Sequence, residues 1–107
     1  MSNFDERERG FEAKFAHDEG LRFKATARRN KLVGLWAADL MGITGDEAAE
    51  YAKEVVKADF EEAGDEDVIR KVHGDLQAKG VDKSADEIRA QLIIKMGEAV
   101  GQVEKEG

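Results

Sequence analysis

Cysteine and proline are both missing from the 107 residues. Without cysteine there is no disulfide framework and no thiolate metal site. Average usage would place about five prolines in a chain of this length, so their absence favours long, uninterrupted helices. Nucleophiles are scarce as well. The only serines are Ser2 and Ser84, and the only histidines are His17 and His73. Ser84 reads as a helix cap, Ser2 sits at the terminus, and His73 lies between Val72 and Gly74 on a short helix, where an ordinary structural or surface role outweighs a catalytic one. Neither G-x-x-x-x-G-K-[ST] nor G-x-G-x-x-G occurs, so both common phosphate loops are missing. The acidic run "GDEDV" lacks the glycine and the spaced ligands of a calcium loop. These absences argue against an enzyme and against a metal site. The apolar runs fall well short of the ~18 residues of a membrane span. The opening "MSNFDERERG" has no apolar stretch and does not read as a signal peptide. The expectation is a soluble cytoplasmic protein.

Charge is the first positive signal. The formal net charge is −7, yet residues 1–31 hold eight Lys/Arg against six Asp/Glu while residues 32–107 hold nine against eighteen. A surface so acidic over most of its length repels a polyanion, which argues against nucleic acid as a partner. Within the basic part, Leu21 to Lys31 carries five positive charges and no negative one.

Helical signals run nearly end to end. Asn3 with Glu6 reads as a cap and its partner, and Phe4, Phe11 and Phe15 fall on one helical stripe. Gly10 and Gly20 interrupt this stretch at a cost of ~1 kcal/mol each relative to alanine. A helix over about Asn3 to Glu19 is therefore weak by itself. "LVGLWAADL", Leu32 to Leu40, is apolar all round except for Asp39, which predicts a central helix with Trp36 buried, closed by Gly42. Thr44 with Glu47 opens the next helix, with Ala48, Ala52, Val55, Val56 and Phe60 inward and Gly64 as its stop. Asp65 caps a shorter helix that buries Val68, Ile69, Val72 and Leu76 and ends at Gly80. Ser84 and Glu87 form an S-x-x-E box for a last helix to about Gln102, with Ile88, Leu92, Ile93, Met96, Ala99 and Val100 inward. Short loops between four helices imply antiparallel neighbours. The fold class is all-α: a four-helix bundle over residues 21–107 with a weakly helical N-terminal arm over residues 1–20.

Two features invite function. The basic belt places Lys24, Arg28 and Lys31 at i, i+4 and i+7, with Arg22 and Arg29 on a neighbouring stripe. It reads either as a solvated helix face or as an anion site for phosphates or an acidic partner, with Lys24, Arg28, Arg29 and Lys31 as the contacts. The phenylalanine stripe reads either as core or as an anchor set offered to a partner groove. The two glycines favour the second, since they suit a segment that orders on binding.

The segments "FDERERGFEAKFAHDE", "LRFKATARRNKLVGLWAADLMG" and "YAKEVVKADFEEAGDEDV" resemble the zeta-subunit family, the alphaproteobacterial inhibitor of the F1FO-ATPase. The resemblance covers essentially the whole chain. It implies a non-enzymatic regulatory subunit whose N-terminal segment enters the catalytic α/β interface of F1 beside the central stalk and blocks ATP hydrolysis. On this chain the implied F1 contacts are Phe4, Arg7, Arg9, Phe11, Lys14 and Phe15. The resemblance also implies a protein on the cytoplasmic face of the membrane, held there through F1 without membrane insertion, and a monomer when free. No cofactor is implied beyond weak ATP or ADP binding. The alternative reading is an adenine-nucleotide-sensing module that uses the basic stripe as its phosphate site.

Overall fold

The computed structural model describes residues 19–59 and 65–106. These form four helices, α1 (Glu19–Leu40), α2 (Gly45–Ala58), α3 (Glu66–Ala78) and α4 (Ala85–Glu106). The expected helix upstream of Glu19, the inward Phe60 and the stop at Gly64 lie outside the described residues.

Helix ends follow local chemistry. After α1, Gly42 adopts φ +76°, and its N–H and that of Ile43 bond back to the carbonyls of Asp39 and Ala38. Gly80, also at φ +76°, repeats the arrangement after α3, with Val81 donating to Leu76 at 2.9 Å. This is the left-handed closure that favours glycine. In both cases the next residue, Ile43 or Val81, packs onto the core. At the start of α4 the capping box forms as expected: Ser84 N–H donates to Glu87 Oε2 at 3.2 Å, and Glu87 N–H donates to Ser84 Oγ at 3.1 Å. The other two N-caps differ. Thr44 and Asp65 occupy the cap positions but make no side-chain cap hydrogen bond.

The core is built from Val33, Ala37 and Ala38 of α1, Tyr51 and Val55 of α2, Val68, Ile69, Val72 and Leu76 of α3, and Ile88 and Leu92 of α4. Helix α1 packs against all three others, which makes it the central helix. It meets α2 closely through small residues. A Cβ on Gly34 would stand 2.7 Å from Ala52 Cα. The phenol of Tyr51 donates to Asp75 at 2.9 Å, joining α2 to α3.

Three expectations change. Trp36 packs on the core but is only half-buried, because the seam takes the small face of α1 (Val33, Gly34, Ala37, Ala38) inward. Ile93 is 76% exposed instead of inward, because α3 has 13 residues against 22 in α1 and in α4 and leaves part of α4 uncovered. Helix α4 also runs past Gln102 to Glu106, where Val103 is buried against Ala25 of α1.

Candidate functional site

The basic segment of α1 divides into three environments. Arg22, Lys24 and Lys31 point into solvent. Arg28 turns toward the C-terminal turn of α4, where it donates to Gln102 Oε1 at 2.8 Å and pairs with Glu106. Arg29 is 6% exposed, and its guanidinium donates twice to Asn30 Oδ1, at 3.0 and 2.9 Å, and to Asp65 Oδ1 at 2.8 Å. Asp65 therefore gives its carboxylate to Arg29 instead of to the N-terminus of α3. A buried cation needs such a partner, since burial without one costs several kcal/mol. The four belt residues proposed as anion contacts, Lys24, Arg28, Arg29 and Lys31, do not converge on one spot.

Lys31 instead shares a shallow depression with α2. Lys31, Lys53 and Lys57 surround a floor of Ala49, Ala52 and Val56, with a volume of ≈ 330 Å³. Lys31 and Lys57 have no ion-pair partner among the described residues, and Lys53 reaches only the exposed Glu50 at 3.3 Å. Exposed pairs of this kind contribute under ~1 kcal/mol, so all three ammonium groups are available to an anion. Sequence reasoning found Lys31 but not Lys53 and Lys57. Their i, i+4 spacing in "YAKEVVKAD" was the available signal, but the facing of α1 toward α2 is not written in either helix.

On the opposite side lies a larger open groove of ≈ 940 Å³. Ile69, Leu92, Ile93, Met96 and Val100 make its apolar lining. Its charged rim is internally neutralised: Arg29 pairs with Asp65, and Arg89 donates to Glu66 at 3.0 Å. The carboxylate of Glu66 raises the pKa of the Arg89 guanidinium. The sequence pattern by itself places all five of these apolar positions inward.

The remaining predicted contacts, Phe4, Arg7, Arg9, Phe11, Lys14 and Phe15, fall outside the described residues. Among the described residues no group of His, Asp or Glu is arranged to hold a metal ion, and no helix is long and apolar enough to cross a membrane.

Comparison with known proteins connects the chain to one family. The family model described as ATPase inhibitor subunit zeta matches residues 1–102. A solved structure, determined by solution NMR, is 55% identical in sequence and superimposes with a TM-score of 0.72. The match covers 81% of this chain and 99% of that one. No curated protein matches.

Proposed function

This chain belongs to the ATPase inhibitor subunit zeta family, and on that premise we propose that it silences ATP hydrolysis by F1 through its N-terminal segment. In this reading residues 1–20 are the inhibitory arm, which inserts at the catalytic α/β interface near the central stalk. Phe4, Phe11 and Phe15 provide apolar anchors, and Arg7, Arg9 and Lys14 provide charge contacts. Residues 21–107 form the bundle that presents the arm. An ATPase inhibitor acts with ATP synthase, so the bundle works at the F1 sector in the cytoplasm, on the face of the membrane where F1 projects.

The observation that carries this reading is the family match over residues 1–102, which takes in the whole phenylalanine stripe. The bundle supports it, since its core and helix-ending turns lie at or beyond Ala25. The exposed Arg22 and Lys24 next to the arm suit a steering role, because clustered exposed charge raises association rates more than it fixes affinity. The test is to add the protein to F1 from its own organism and assay ATP hydrolysis. Undiminished hydrolysis at saturating protein would overturn the proposal.

A second reading is favoured by one specific observation, the convergence of Lys31, Lys53 and Lys57 on an apolar floor. Cationic groups around such a floor suit a molecule that carries both phosphates and a flat apolar ring, as ATP and ADP do. Arg28 and Arg29 already hold intramolecular partners, so this depression replaces the linear stripe as the candidate phosphate site. Titrating ATP and ADP while following backbone NMR shifts tests it. Shifts confined to residues around Lys31, Lys53 and Lys57 support nucleotide binding there, and their absence ends this reading.

A further inference from the structure

We propose that the groove between α3 and α4 is a docking site for the chain's own N-terminal segment, with Phe11 and Phe15 as the inserted side chains. The regulatory consequence drawn below rests on the proposed inhibitory role of that segment; the docking itself does not.

The groove calls for an apolar occupant. Its rim cations and carboxylates are already matched in pairs, Arg29 with Asp65 and Arg89 with Glu66, which leaves the apolar lining as the recognition surface. Ile93 is 76% exposed on that surface. Its origin lies in helix lengths. Helix α3 begins only at Glu66, so among the described residues no helix covers the groove side of the later turns of α4. A short amphipathic helix laid there would complete the four-helix cross-section at that end.

The occupant follows from where the described chain begins. Leu21, Met96 and Val100 all pack against the buried pair Ala25 and Val103, and Met96 and Val100 also line the groove. The described chain therefore begins on the helix end that packs beside the groove-lining residues. Phe15 precedes Leu21 by six residues, a reach of up to ~20 Å in extended chain. A turn across residues 16–18 is within the two to five residues typical of antiparallel helix pairs. Phe11 and Phe15 are four positions apart in sequence, the same spacing as Leu92, Met96 and Val100, which suits interdigitation if the segment docks as a helix. Tethering supplies a millimolar effective concentration, so even a weak apolar contact is occupied.

In this arrangement the segment has two exclusive destinations, its own bundle and F1. The apparent affinity for F1 is then lowered by the fraction of molecules whose segment is undocked.

The chain has no cysteine, so a Glu8→Cys substitution gives a single site for a nitroxide label on the full-length protein. Docking predicts that amide signals of Ile93, Met96 and Gly97 broaden strongly, while those of Lys53 and Lys57 on the far side of the bundle do not. Adding Ile93→Glu, at a position that is exposed in the bundle, should abolish the selective broadening. Equal broadening on both faces, or a pattern indifferent to Ile93→Glu, would overturn docking. Broadening that appears only in mixtures of labelled and isotope-enriched molecules would place a second copy in the groove and also overturn it. In the F1 assay Ile93→Glu should inhibit several-fold more potently than the parent, and equal potency would reject the regulatory consequence. Failure of both proteins to inhibit F1 would count against the proposed function, with the labelling result still deciding the docking.

Discussion

Arg29 in the middle of α1 and Asp65 just ahead of α3 form a 2.8 Å ion pair in which the cation is almost wholly enclosed while the carboxylate side chain is half exposed. The same guanidinium holds the side chain of the fully buried Asn30. One arginine thus satisfies a buried amide oxygen, fixes the start of α3 and borders the groove. The planar fork of arginine serves both acceptors together, whereas lysine is a single point charge.

Arg29→Lys is accordingly expected to cost about 1–3 kcal/mol, because a buried acceptor or donor loses its partner. Asp65→Asn, which keeps an acceptor but removes the negative charge that faces the buried guanidinium, should cost at least as much. Urea unfolding midpoints at constant slope measure both. A parental midpoint for Arg29→Lys would show that the fork contributes nothing.

Glycine positions give a contrast in sign. Gly34→Ala should destabilise by about 1–3 kcal/mol, since its Cβ would collide with backbone at Ala52. Gly74→Ala, inside α3 with nothing within 4 Å of the new methyl, should stabilise by about 0.5–1 kcal/mol. Melting temperatures moving the same way in the two variants would contradict the seam between α1 and α2.

Tyr51 makes a prediction for alkaline pH. Burial first, and then the hydrogen bond to Asp75, push the phenol pKa well above its ordinary value of 10. The folded state keeps the proton where the unfolded state loses it. The associated stability is therefore complete below pH ~10 and declines as pH rises toward the folded pKa, by at most ~1.4 kcal/mol per pH unit. Tyr51 is the only tyrosine, so tyrosinate absorbance reports it alone. Its appearance should coincide with unfolding in the parent, and Tyr51→Phe should lose this component of the pH slope. Tyrosinate forming near pH 10 in the folded protein would contradict it.

For the N-terminal segment, deleting residues 1–18 should abolish inhibition of F1 while leaving a cooperatively melting helical bundle. Phe11→Ala or Phe15→Ala should weaken inhibition more than Glu8→Ala. Burying a phenylalanine contributes ~1.5–3 kcal/mol, whereas exposed ion pairs contribute under ~1 kcal/mol. A truncated chain that inhibits fully would transfer the role to the bundle.

Much of the architecture is written locally. The left-handed glycines Gly42 and Gly80, the Ser84–Glu87 box and the apolar spacing of Val68, Ile69, Val72 and Leu76 each act within a turn or two of helix, so sequence alone determined the four helices of the described residues, their approximate boundaries and the all-α class. Distinctive segments also carried the family. What lies between helices was decided by tertiary structure. The close approach at Gly34 and Ala52 sets how α1 faces α2, and with it the half-burial of Trp36 and the meeting of Lys31 with Lys53 and Lys57. The shortness of α3 relative to α4 turned Ile93 from an expected core residue into an exposed wall of the groove. The claim of Arg29 on Asp65, 36 positions away, changed a predicted cap into an ion pair. Periodicity states which face of a helix is apolar; which neighbour covers that face, and how far along, depends on helix crossings and relative lengths that no single segment encodes.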